Sequence, residues 1–236
     1  MSRPLEGKLA LVTGASQGIG AATAEAIAAA GAHVILTARN AERLEAIEDR
    51  IHAAGGSATI APLDLTDGDS IARLAAAAAE RWEKLDILVL NAAMLGSLTP
   101  VPAIDGKEFS QILTLNLLAQ QALIAAFDPL LRRSKAGRLL AVTSSVGAAP
   151  RAFWGAYGAS KAALETLVLS YADEVRNLGG VKVAIVDPGA TATPMRAQAF
   201  PGEDPATIKQ PDAVADAIVA LLGRDFDTGY RLEVRS

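Results

Sequence analysis

The chain has 236 residues, of which 51% are apolar and 20% charged, enough to bury a sizeable core in one domain, although length alone leaves two small ones open. A formal net charge of −4 with no basic run argues against nucleic acid or an anionic membrane surface as the main partner. With no cysteine, disulfides, thiolate catalysis and Cys-ligated zinc are excluded, which fits a reducing compartment.

The opening "MSRPLEGKLALVTGAS" has too short an apolar stretch for a signal peptide and runs straight into structure. "KLALVT" (Lys8–Thr13) reads as the first strand, followed by an Ala-rich helix from about Gly18. "HVILTA" (His33–Ala38) is the second strand, and the charged helix "AERLEAIEDRIHAA" follows it. "SATIAPL" (Ser57–Leu63), "DILVLN" (Asp86–Asn91), "GRLLAVTS" (Gly137–Ser144), "VKVAIVD" (Val181–Asp187) and "GYRLEV" (Gly229–Val234) continue the series. Helical segments lie between them, including stretches at about Lys107–Leu131 and Ala156–Leu178. Short strands apolar on both faces and divided by helices predict a parallel sheet covered on both sides. Right-handed crossovers make that a doubly wound, Rossmann-type α/β fold of about seven strands in a single domain, residues 1–236. A long irregular segment is expected at about Thr191–Gln210, where a loop of that length is usually functional. No stretch approaches ~18–20 continuous apolar residues, so the expectation is a soluble, cytoplasmic protein.

After the first strand stands "TGASQGIG", Thr13–Gly20, with a helix opening at its end. Glycines there let the backbone approach a pyrophosphate, while free amides of the helix N-terminus face its charge. The spacing is G-x-x-x-G-x-G rather than G-x-G-x-x-G, and alone it is equally a simple turn. Its place between a buried strand and a helix makes Gly14, Ser16, Gln17, Gly18, Ile19 and Gly20 candidate nucleotide contacts. The second strand ends "LTARN", without the acid that would bind a ribose 2′-hydroxyl. Arg39 stands there instead, and a guanidinium makes forked contacts with a 2′-phosphate, so NADP(H) is expected over NAD(H). Asp64, with Leu65 beside it, sits where a carboxylate could accept from an adenine amino group, with an ordinary helix cap by Thr66 or Asp67 as the plainer reading. Asn91 and Ala92 follow the fourth strand, and small residues there leave room for a ribose.

These motifs, in this order from Lys8 to about Val234, resemble the short-chain dehydrogenases/reductases in their compact single-domain form. The resemblance rests on "TGASQGIG", Asp64–Leu65, "NAA" at Asn91–Ala93, Asn116 in "LNLL", Ser144–Ser145, "YGASK" at Tyr157–Lys161 and "PGATATPM" at Pro188–Met195. It implies NAD(P)-dependent interconversion of an alcohol and a carbonyl, and dimers or tetramers. Two residues depart from the family pattern: Leu90 stands for its first asparagine and Ala93 for its glycine. The sequence also ends without the family's usual Gly-Gly, which bears on subunit contacts built from that tail.

Tyr157 and Lys161, at i and i+4 on one helix, emerge on the same face. An ordinary phenol pKa of ~10 is too high for efficient acid–base work at neutral pH. A unit positive charge at ~4 Å is worth roughly 4 kcal/mol at an effective dielectric of ~20, enough to lower that value by ~3 before desolvation offsets some of it. By resemblance, Tyr157 is the proton donor to the carbonyl and Lys161 lowers its pKa and holds the nicotinamide ribose. A serine hydrogen-bonds the substrate oxygen; the family's spacing selects Ser144, with Ser145 as the fallback. Asn116 is implied to position a water linking the lysine to solvent. Pro188, Gly189, Thr191 and Thr193 are expected near the nicotinamide and pyrophosphate. His33 and His52 have no matching ligand cluster, so no metal is expected.

Met94–Leu98, Ala148–Trp154 and the segment after Pro194 are the expected substrate walls, carrying Met94, Phe153, Trp154 and Met195. Arg151 could meet an acidic substituent. The helices at about Lys107–Leu131 and Ala156–Leu178 are apolar on more than one side, which predicts a homodimer or homotetramer. The leading reading is an NADP(H)-dependent carbonyl reductase or alcohol dehydrogenase; the alternative is a non-catalytic NADP(H)-binding regulatory or structural protein on the same fold.

Overall fold

The computed structural model describes residues 3–235. Seven strands, β1 (Leu9–Thr13), β2 (His33–Ala38), β3 (Ser57–Pro62), β4 (Ile87–Leu90), β5 (Gly137–Val142), β6 (Val181–Asp187) and β7 (Tyr230–Glu233), form one sheet. Their order is β3-β2-β1-β4-β5-β6-β7 and every pairing is parallel. This is the Rossmann-type doubly wound sheet, and the order reverses between β1 and β4, where such sheets leave a crevice at the strand C-termini.

The nine helices among the described residues are α1 (Gly18–Ala29), α2 (Ala41–Ala53), α3 (Gly68–Arg81), α4 (Gly106–Leu113), α5 (Ala119–Arg133), α6 (Ser145–Ala148), α7 (Gly155–Val175), α8 (Pro194–Ala199) and α9 (Pro211–Leu222). Alternate residues of β1 divide the core. Ala10 and Val12 join Ile27 of α1, Leu44 of α2 and Ile218 of α9 on one face. Leu9 and Leu11 join Ile71 of α3, Phe127 of α5 and Val168 of α7 on the other. Period-two alternation thus feeds two apolar layers, which is why these strands read as continuous apolar runs.

Between α4 and α5 the helix widens into a π-helical turn, Thr114–Leu118. Such a turn interrupts the regular ladder and often marks a functional place. The whole helical run Gly106–Arg133 is long and apolar enough by composition to cross a membrane, although polar residues interrupt it throughout. Its inner face is spent on the sheet, where Leu123, Phe127 and Leu131 are fully enclosed. The segment expected to be irregular at 191–210 is partly ordered: α8 occupies Pro194–Ala199, capped by the Thr193 hydroxyl, which accepts from the Arg196 amide at 3.1 Å.

Candidate active site

A cleft of ≈ 1160 Å³ opens across the C-terminal ends of β1, β2, β4, β5 and β6. Buried beneath it is Thr13, the last residue of β1. The Thr13 hydroxyl donates to Val89 O (3.2 Å) and accepts from the amides of Asn91 (2.9 Å) and Ala92 (3.1 Å). Asn91 Nδ2 donates back to Thr13 O at 2.8 Å. Strands β1 and β4 are thereby stitched together where the chain leaves the sheet, and Gln120 of α5 adds a bond from Nε2 to Ala92 O at 3.1 Å. Sequence reading missed Thr13 and Gln120; their partners lie 76–79 and 28 residues away.

The glycine loop closes over this junction. Gly14 and Gly18 have φ of +65° and +57°, a region that L side chains rarely adopt. A Cβ on Gly20 would lie 2.2 Å from Gly14 O and 2.5 Å from Asn91 Nδ2, so only glycine lets α1 start this close to β1. A Cβ on Gly18 would press on Thr193 Cγ2 at 3.3 Å, bringing the loop after β6 against the loop after β1. The result is a cradle at a helix N-terminus with side chains removed at Gly14, Gly18 and Gly20, which fits a pyrophosphate. Gly14, Ser16, Gln17, Gly18, Ile19, Gly20, Asn91, Ala92, Pro188, Gly189, Thr191 and Thr193 all line the cleft.

Arg39, Asp64 and Leu65 line it at the same end. Asp64 Oδ1 is already taken by the Thr66 amide (2.9 Å) and hydroxyl (2.8 Å), bonds that hold its carboxyl below the usual range. Asp67, not Thr66, caps α3. A second arginine unnoticed in the sequence, Arg43, also lines the cleft and donates to Gln17 Oε1 at 2.6 Å. Asn40 caps α2 by accepting from the Arg43 amide, which places Arg43 one turn past Arg39.

At the opposite end, α7 delivers Tyr157 and Lys161, both buried at 7% and 2% exposure, onto the cleft. Lys161 Nζ donates to Val142 O at the end of β5 (2.9 Å) and lies 5.7 Å from the centre of the Tyr157 ring. Burial pulls the Lys161 ammonium down to about 8, with the Glu165 carboxylate opposing. The expected lowering of the phenol is reversed in the protein alone: burial lifts Tyr157 above its ordinary value, and Asp187 adds to it. Desolvation outweighs the neighbouring ammonium here.

Ser144 caps α6, its hydroxyl 3.5 Å from the Val146 amide, and lines the cleft; Ser145 is exposed and does not. Asn116 lies behind the cleft rather than on it. Its Oδ1 accepts from the Met94 amide (2.8 Å), and its Nδ2 donates to Met94 O (2.9 Å) and to Ser160 Oγ (3.0 Å). The side chain proposed for a water link is therefore engaged with protein partners and ties the strand-four loop to the residue next to Lys161. Met94, Leu95, Trp154 and Met195 line the cleft as expected, whereas Phe153 is 55% exposed and stands outside it with φ +71°. Among the described residues no cluster of three metal-ligating side chains occurs.

A family model described as short chain dehydrogenase matches residues 8–204. An oxidoreductase of Escherichia coli K12, YciK, is 37% identical over 224 residues, covering 94% of this chain and 88% of its own. A short-chain dehydrogenase of Escherichia coli CFT073, solved in complex with NADPH, superposes with a TM-score of 0.95 at 36% identity over the full length of both chains. One from Pseudomonas syringae superposes at 0.96 with 38% identity, covering 100% of this chain and 97% of that one. With the glycine cradle at one end of the cleft and a buried tyrosine and lysine at the other, the chain belongs to the short-chain dehydrogenase family of oxidoreductases.

Proposed function

We propose that the protein is an NADP(H)-dependent reductase that interconverts a carbonyl and a secondary alcohol. The observation that carries this is the convergence of Ser144, Tyr157 and Lys161 on the cleft that also holds the glycine cradle. Gly14, Gly18 and Gly20 would admit the pyrophosphate, and Arg39 would pair with the 2′-phosphate by charge-assisted bonds. NADPH in the solved relative from Escherichia coli CFT073 agrees with that preference. The cofactor would supply the hydride.

The chain's own groups handle the proton. A phenol lifted by burial keeps its proton at neutral pH, so Tyr157 is the donor to the carbonyl oxygen and takes the proton back in the reverse direction. The Ser144 hydroxyl donates to the same oxygen and steadies its developing charge. Lys161, held by Val142 O, keeps a positive charge beside the phenol up to about pH 8. Asn116 braces α7 through Ser160, whose hydroxyl donates to Tyr157 O at 2.7 Å. Carbonyl compounds screened with NADPH, followed by loss of its absorbance, test the reading: turnover lost in Tyr157→Phe with NADPH binding kept supports it, and retained turnover refutes it.

The same reading extends to assembly in the cytoplasm. Leu118 and Leu169 are 59% and 39% exposed on the π-helical turn and α7, and a second copy of the chain would cover them as a homodimer or homotetramer. Light scattering showing a monomer at working concentration would overturn this.

A further inference from the structure

An apolar cluster stands beside Tyr157 in the cleft. Leu95, Val146 and Tyr157 form a small buried cluster, packed by Leu98, Trp154, Met195 and Ala199. Among the described lining residues the charged ones are Arg39, Arg43 and Asp64 at the glycine-loop end, and Lys161 and Arg196 at the other. Lys161 is committed to Val142 O. Arg196 is committed too: its Nε and Nη2 donate to Glu203 Oε2 (2.6 Å) and Oε1 (2.7 Å) in a forked pair. Its guanidinium lies 3.7 Å from the centre of the Phe200 ring. Phe200 stacks on Trp154 at 5.8 Å, and Trp154 meets Tyr157 edge-on at 6.0 Å. A ladder of four side chains thus runs from the acid–base tyrosine to the arginine and ends on Glu203.

We propose that Glu203 is a specificity-determining residue: by occupying Arg196 it makes the Tyr157 end of the cleft select uncharged, apolar aldehydes and ketones over carboxylate-bearing ones. This rests on the reading that the carbonyl sits beside Tyr157. A substrate carboxylate entering the chamber sheds water against apolar walls and meets an ion pair of zero net charge. It would have to displace a bidentate carboxylate already in the geometry that guanidinium favours. Arg151 offers no substitute inside the cleft; it is exposed, does not line the cleft, and its guanidinium is 6.0 Å from the Trp154 ring centre. Replacing Glu203 by glutamine removes the counter-charge and leaves a cation on the wall.

The chain has two tryptophans, and Trp82 packs against His33, away from the cleft. Trp82→Phe therefore leaves Trp154 as a single indole reporter whose quenching gives Kd without turnover. With NADP+ saturating, acetophenone is expected to bind this protein at least ~10-fold more tightly than 4-acetylbenzoate, and Glu203→Gln to close that gap by ~10-fold through a gain for the carboxylate. Glu203→Asp should keep the preference. Equal or tighter carboxylate binding in the parent overturns the proposal, as does a ratio unmoved by Glu203→Gln; a merely loosened loop would weaken both ligands together and count against it. NADPH consumption is read separately, so a shifted ratio without turnover would refute the proposed reaction and leave this inference standing.

Discussion

At one end of the cleft Gly14, Gly18 and Gly20 remove side chains so that backbone can close in; at the other Leu95, Trp154 and Met195 close in with side chains. The glycine cradle of the first end is built from one short loop, stitched to β4 through Thr13 and Asn91. The second is assembled from loops after β4, β5 and β6, drawn together by Asn116 and by the Trp154–Phe200 stack. A backbone cradle accepts one chemical group, a phosphate, whatever the neighbours do. A side-chain chamber is remade by any substitution in its walls, and there a fold shared by many oxidoreductases acquires its own substrate.

If the two ends act independently, damage at one should leave the other intact. Tyr157→Phe is the severest case: kcat should fall by ~10²–10⁴ as the positioned acid is lost, while NADPH affinity stays within about a factor of two, since one hydroxyl is removed from a wall. Parallel loss of both would dissolve the distinction.

Lys161 sits at the seam and reports through pH. Its folded value, about 8, lies below the ordinary 10.5. The unfolded chain therefore binds that proton more tightly, and burial costs stability in full below pH 8. The cost is relieved as pH rises from about 8 to 10.5 and amounts to roughly 3 kcal/mol. In cofactor-free protein, Lys161→Met should remove this upward slope of stability over that window, read as the difference between parent and variant in chemical denaturation. An unchanged slope would mean that Lys161 is not desolvated.

Arg39→Ala probes the opposite end. NADPH should weaken by ~10–100-fold, the worth of a charge-assisted contact, with NADH unaffected; an equal loss for both cofactors would separate Arg39 from the 2′-phosphate. The smallest change is Gly20→Ala, whose methyl meets backbone at Gly14 O, 2.2 Å away. It should lower stability by ~1–3 kcal/mol and weaken both nucleotides alike, leaving the NADPH preference in place. A cofactor affinity equal to the parent's would show that the cradle can relax.

Much of this was legible in local spacing. Strand β2 and strand β6 have the boundaries expected from their apolar runs, and α1 opens at Gly18. The i, i+4 separation of Tyr157 and Lys161 guaranteed a shared helix face before any fold was known. Expectations failed where the signal was not local. Phe153 reads as a wall residue by position, yet its backbone turns it out to solvent. The side-chain partners of Asn116, Met94 and Ser160, lie 22 and 44 residues away and could not be read from its own stretch. Tyr157 reads as an acidified phenol next to an ammonium, whereas in the protein alone burial lifts it above its ordinary value.

Periodicity and glycine placement carried the α/β order, the cradle and the tyrosine–lysine pair, because each depends on residues within a turn or a strand of one another. The placing of Ser144 on the cleft and Ser145 off it, the arrival of Arg43 on Gln17 and the neutralisation of Arg196 by Glu203 at the end of an aromatic ladder depend on how the loops close. Loop closure is set by the packing of distant elements on the sheet, a sum over many weak contacts that no short stretch of sequence contains.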